Sequence, residues 1–202
     1  MIRLHTAATP NGRKVSIALE ELGLDYEVRV WKLDVDEQKS ESFLALNPNH
    51  KIPVLEDDGL VVWESGAILL HLAEKHGKLL PADPVGRMAA IQYAFFQTGG
   101  LGPNLGRLGA QLRRPEGERN GEMVEIFLGE VTRLIGVLDR ILSDGRPYLA
   151  GEYSIGDIMH YPWMSPLLGL KAPPLMQRER VVAWLERIGA RPAVQKGMSV
   201  PS

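Results

Sequence analysis

The chain has 202 residues, a formal net charge of −2 and no cysteine. Its length allows one large domain or two small ones with a core that needs no staples, and the absent cysteines exclude disulfides, thiolate metal sites and a thiol nucleophile of the protein's own. The small net charge gives no field to recruit nucleic acid. The longest apolar runs are too short to span a bilayer, and the first residues lack the pattern of a secretory signal. The expectation is a cytoplasmic protein with neither nucleic acid nor membrane as partner.

In chain order, Ile2 and Leu4 alternate with polar residues as in a strand, and Thr6 continues that parity toward the core side. The turn "TPNG" (Thr9–Gly12) follows. From Val15, the apolar positions Val15, Ala18, Leu19 and Leu22 have helical spacing up to a stop at Gly23. Tyr26, Val28 and Val30 fall on one face of a second strand, and residues 39–47 predict a short helix closed by Pro48. "KIPVLED" and "LVVWES" read as strands joined by the turn Asp57-Asp58-Gly59, before a helix, "SGAILLHLAEKHG", that ends at Gly77. This β-α-β, link, β-β-α order is that of an α/β thioredoxin-like layer.

A proline-marked linker covers 80–86. Beyond it no strand is predicted; helical patterns run near 87–98, 121–143, 154–168 and 178–189. "TGGLGPNLG" predicts a break or kink, and "RRPEGERNG" a polar loop. Ser154 and Asp157 have the spacing of a capping box, with Tyr153 and Ile158 placed for a staple. The expected organisation is a thioredoxin-like domain over 1–79 and an all-α domain over 87–202.

Two places carry chemistry. A helix N-terminus at Glu64-Ser65-Gly66 offers unpaired N–H groups and partial positive charge to a carboxylate, although Ser65 also fits as a simple N-cap. In the turn, the Thr9 hydroxyl and Asn11 amide are hydrogen-bond donors, although proline, asparagine and glycine are also ordinary turn residues. His71 and His76 lack the spacing of a helical zinc pair, and no metal is expected.

Four blocks, "TPNGRKVSIALEELGLDYE", "NPNHKIPVLED", "WESGAILLHLAEKHG" and "YLAGEYSIGDIMHYPW", sit in the order found in the soluble glutathione transferases. The chain resembles that family over nearly its whole length, and "TPNG" with "GGLGP" resembles its bacterial nu class. The resemblance implies bound glutathione as co-substrate and a thioredoxin-like domain followed by a helical one. It implies that Thr9 and Asn11 stabilise the glutathione thiolate. Ile52, before a cis Pro53, would pair with the cysteinyl backbone and Lys51 with the glycyl carboxylate. Glu64 and Ser65 would hold the γ-glutamyl end, Gln38 would add a contact, and Arg133 would help hold a second glutathione. A homodimer is implied as well. The activity implied is reduction of small-molecule disulfides. The alternatives are conjugation of glutathione to electrophilic small molecules and a non-catalytic role of the same fold.

Overall fold

Strand β1 (Ile2–Thr6) is the centre of a mixed sheet in the computed structural model, which describes residues 1–201. It runs parallel to β2 (Tyr26–Val30) and antiparallel to β3 (Val54–Asp57), and β3 pairs antiparallel with β4 (Leu60–Trp63), giving the order β2-β1-β3-β4. A parallel pair needs a crossover, and helix α1 (Pro10–Leu22) supplies it. Leu4, Val54 and Leu55 are fully buried, while β2 is an edge strand with Val28 and Val30 exposed.

Helix α1 starts earlier than the apolar spacing announces. Pro10 takes the first helical position, where its missing N–H costs nothing, and the Thr9 hydroxyl caps the turn by accepting from the Gly12 N–H at 3.2 Å. An apolar period cannot register a first turn made of proline, asparagine, glycine and arginine. The β3–β4 hairpin closes through Asp58 (φ 50°) and Gly59 (φ 91°), both left-handed, as a two-residue turn matched to strand twist requires. Between β2 and β3, two short 3₁₀ turns (Leu33–Val35 and Glu37–Lys39) precede α2 (Glu41–Leu44), which is a single turn rather than the span 39–47. Helix α3 (Ser65–His76) follows β4 and stops at Gly77.

The chain forms two compact units. The first is Met1–Leu80 together with the chain from Gly189 onward; the second is Pro81–Ile188. The expected boundary put everything after residue 86 in the helical domain, and the final segment departs from that. In the first unit, α10 (Pro192–Met198) packs on α1. A Cβ on Gly197 would lie 2.5 Å from the Ile17 Cα, so the two backbones meet with only a hydrogen between them. The Ser16 hydroxyl donates to the Gly197 carbonyl at 2.7 Å, and Arg191 and Lys196 pair with Glu21 and Glu20. Such pairing of distant segments leaves no periodic trace in either one.

The second unit is helical throughout: α4 (Pro84–Phe96), α5 (Gly102–Leu112), α6 (Gly121–Ile141), α7 (Ile155–Gly169), the single turn α8 (Pro173–Met176) and α9 (Glu179–Gly189). The glycine-rich segment between α4 and α5 is not a break. The chain continues through one π turn, Gln97–Leu101, which brings Pro103 into the first turn of α5. The Ser154–Asp157 capping box forms as expected. The buried Asp157 carboxylate also accepts from the Leu149 N–H at 3.0 Å and the Trp184 indole at 2.8 Å, tying the loop, α7 and α9 together.

Candidate functional site

The first unit holds a cavity of about 130 Å³ lined by Asn11, Asn47, Lys51, Ile52, Pro53, Glu64 and Ser65. Three separate segments supply these residues, and each is fixed by a different local cause.

The first segment is the start of α1. A Cβ on Gly12 would lie 2.2 Å from Thr6 Oγ1 and 2.6 Å from the Ala7 carbonyl oxygen, so only glycine lets α1 begin against the end of β1. That close approach brings Asn11 to the cavity wall. Thr9 stands at the cap beside it and is not itself a lining residue. Its oxygen accepts from Gly12, which leaves the hydroxyl proton to donate to another group.

The second segment is the loop before β3. Asn47 is 1% exposed; its amide donates to the Lys51 carbonyl at 2.7 Å, and its carbonyl accepts from the Asn49 N–H at 2.9 Å. These bonds pin the loop that carries Lys51, Ile52 and Pro53. The Ile52–Pro53 bond is cis, as the resemblance implied. Ile52 rests on a buried cluster of Trp31, Phe43 and Val54.

The third segment is the start of α3. Glu64 has φ 72° and ψ 119°, a left-handed conformation that costs a non-glycine residue about 1–3 kcal/mol and recurs at ligand clamps. It stands at the N-cap without a side-chain capping bond, with its side chain on the cavity wall, and Ser65 follows, 6% exposed. Helix α3 therefore presents its unpaired first N–H groups at this wall.

Lys14 lies behind Ser65. It is 2% exposed, with Nζ 3.5 Å from Ser65 Oγ. Burial pushes its pKa down to about 7, partly opposed by the charge of Glu64. Sequence reasoning passed over both Lys14 and Asn47. The signal for Lys14 was there: it stands four residues before Ala18, on the apolar stripe of α1, where a charge is unusual. Asn47 gave none beyond its place beside Pro48.

Besides Thr9, two more expected site residues are absent from the lining of this cavity. Gln38 sits on the turn Glu37–Lys39, where its amide donates to Asp36 at 3.2 Å. Arg133 is on α6 of the second unit, exposed and paired with Glu130 at 2.6 and 2.7 Å. It lines a separate cavity of about 830 Å³, with Arg140, Arg178 and Arg180 among its neighbours. Among the described residues, no group of three or more His, Asp or Glu side chains could hold a metal ion, and no helix is long and apolar enough to cross a membrane.

A thioredoxin-like sheet unit, a helical unit and a cavity that combines a cis-proline loop with a helix N-terminus define the glutathione transferase class of architecture. Residues 2–74 match the glutathione S-transferase N-terminal domain and residues 89–192 its C-terminal domain. The chain belongs to the glutathione S-transferase family. It is 39% identical to the Escherichia coli disulfide-bond oxidoreductase YfcG, over 98% of this chain and 94% of that one. It is 34% identical to YghU of the same organism, also a disulfide-bond oxidoreductase, over 98% of this chain and 74% of that one. A glutathione transferase from Pseudomonas putida, solved with one glutathione disulfide bound per subunit, superposes with a TM-score of 0.93 at 40% identity, covering 100% of this chain and 92% of that one. One from Burkholderia graminis, solved with two glutathione molecules per subunit, gives 0.92 at 40% identity, covering 100% and 88%.

Proposed function

We propose that this protein is a glutathione-dependent disulfide reductase whose thiol is supplied by bound glutathione. The observation that carries the proposal is the convergence on one cavity of Asn11, the Ile52–Pro53 loop and the Glu64–Ser65 helix start, in a chain without cysteine. Each feature suits one part of glutathione. The N-terminus of α3 and the Ser65 hydroxyl receive the γ-glutamyl carboxylate, and Glu64 pairs with its amine. Ile52 pairs with the cysteinyl backbone, and Lys51 meets the glycyl carboxylate as a point charge.

The sulfur then lies toward the start of α1. A free thiol titrates near 8.5, so lowering it by about two units takes about 2.7 kcal/mol of preferential stabilisation of the thiolate. The Thr9 hydroxyl proton, the Asn11 amide and the α1 N-terminus are of the right kind for this, since bonds to a charged acceptor are the strong ones. The thiolate attacks one sulfur of the disulfide. A glutathionyl mixed disulfide forms, and the other sulfur leaves as a thiolate and takes a proton. A second glutathione thiolate attacks the glutathionyl sulfur, giving glutathione disulfide and releasing the second product thiol. Two glutathiones are consumed for each disulfide reduced.

The relatives named as disulfide-bond oxidoreductases, and the neighbours that hold two glutathiones or one glutathione disulfide per subunit, support this reading. On the family resemblance we also assign Gln38 and Arg133 to glutathione contacts, Arg133 to the second molecule. A homodimer belongs to the same proposal; Val85, Met88 and Phe95 leave one face of α4 apolar and exposed, as a dimer contact requires. Sedimentation velocity tests the dimer.

The decisive assay supplies glutathione with 2-hydroxyethyl disulfide and, separately, with 1-chloro-2,4-dinitrobenzene. Rapid disulfide turnover with little conjugation is expected. The reverse preference makes the protein a conjugating transferase, and binding without turnover makes it a non-catalytic member of the family. Thr9→Ala and Asn11→Ala are each expected to lower disulfide turnover about tenfold, for loss of one charge-assisted bond. Wild-type rates in both variants reduce the turn to a structural one.

A further inference from the structure

We infer that Lys14 is a positioning residue for anion recognition: a buried cation beneath Ser65 that orients its hydroxyl and selects for the γ-glutamyl α-carboxylate. The inference rests on the glutathione reading and names a determinant that the lining of the cavity does not show.

The geometry comes first. Lys14 Nζ donates toward Ser65 Oγ at 3.5 Å, and both residues are buried. An ammonium has three donors and no acceptor. It therefore occupies a lone pair of the serine oxygen and leaves the hydroxyl proton to point elsewhere. Ser65 is on the wall of the cavity, and Lys14 is not. The ammonium thus lies on the far side of Ser65 from the ligand space and acts through the hydroxyl rather than by direct contact.

The charge comes second. A lysine in the apolar stripe of α1 is costly to keep ionised, and an anion seated on Ser65 offsets that cost. Glu64 is a charged group that acts on Lys14. Most other charges on the elements packed against α1 are engaged elsewhere, and the remaining titratable groups on α3 are Glu74 and His76. On α10, Arg191 pairs with Glu21 and Lys196 with Glu20. On α3, His71 and Lys75 pair with Asp57. On β1, Arg3 pairs with Glu27 and Glu56, and His5 with Glu56. Glu64 is also the group proposed to meet the ligand amine, so a zwitterionic γ-glutamyl end fits the pair: amine on Glu64, carboxylate on Ser65 with Lys14 behind it.

Lys14 in the unliganded site titrates near 7, and a carboxylate bound at Ser65 raises that value. The ammonium form, which favours the anion, is populated below about pH 7 and lost above it. Preference for the carboxylate must then fall as pH rises through this range, with a proton taken up on binding.

The test uses S-methylglutathione, which has no titrating thiol, and an analogue with 4-aminobutyryl in place of γ-glutamyl, which keeps the amine and lacks the carboxylate. Calorimetry is run on the full-length protein at about pH 6.5 and about pH 9. The wild type is expected to prefer S-methylglutathione strongly at the lower pH and clearly less at the higher. Lys14→Met, similar in length and uncharged, is expected to lose about tenfold of that preference at the lower pH and to show no pH dependence. A Lys14→Met protein that folds and keeps the wild-type preference overturns the inference. Should that variant not fold, the wild-type profile decides: a preference that is flat between the two pH values overturns it equally. Failure of the wild type to bind S-methylglutathione at all is a distinct result, and it removes the glutathione reading together with this one.

Discussion

Replacing Gly12 with alanine adds one carbon at the tightest point of the site. That carbon would sit 2.2 Å from Thr6 Oγ1 and 2.6 Å from the Ala7 carbonyl oxygen, roughly an ångström inside ordinary contact. The carbonyl is the less yielding neighbour, because it belongs to the backbone and accepts from the Thr9 N–H at 2.7 Å. Overpacking of this kind costs about 1–3 kcal/mol. Alanine recovers at most about 1 kcal/mol of helix propensity over glycine, and less in a first turn. The net expectation is a loss of about 1–2 kcal/mol in urea unfolding. The effect on turnover is larger, because the first turn of α1 must move away from β1 and take Thr9 and Asn11 with it. A shift of about half an ångström costs on the order of tenfold in the disulfide assay. Adding Thr6→Ala removes the 2.2 Å conflict and leaves the 2.6 Å one, so the double variant is expected to regain part of the stability. Gly197→Ala is the control: it meets the Ile17 backbone at 2.5 Å and should cost comparable stability while the folded fraction keeps its turnover. A Gly12→Ala protein with wild-type stability and turnover refutes the argument.

Two further outcomes follow from buried charge. Asp157→Ala strips the partner from the Leu149 and Ser154 N–H groups, the Ser154 hydroxyl and the Trp184 indole. With four buried donors unpaired it should cost about 3 kcal/mol or more in urea unfolding, whereas a loss below about 1 kcal/mol means that water replaces the carboxylate. Lys14 titrates near 7 in the folded protein against 10.5 for an ordinary lysine. The unfolded chain thus holds the extra proton between those values, and this group's contribution to stability rises with pH across them. Lys14→Met removes that dependence, so its stability advantage over the wild type should shrink by about 2 kcal/mol between about pH 7 and pH 9. An advantage that does not change with pH shows that Lys14 is not held near 7.

Local sequence determined most of the architecture. Apolar spacing, Gly23 and Gly77 at helix ends, the Asp58-Gly59 turn and the Ser154–Asp157 box each act within a few residues, and each reads directly from the chain. Of the segments that line the cavity, "TPNG" and "ES" mark a local turn and a local helix start, whereas "KIP" was pointed to only by the family resemblance. Tertiary structure decided what depends on distant neighbours. Gly12 and Gly197 look like flexible or neutral glycines in one dimension; the approach of β1 to one and of α1 to the other makes them necessary. The chain from Gly189 joins the first unit because α10 meets α1 backbone to backbone, a contact with no period to betray it. Lys14 carries the same lesson into the site. Its sequence position says only that a charge interrupts an apolar stripe; the fold sets that charge behind Ser65, where burial gives it a use.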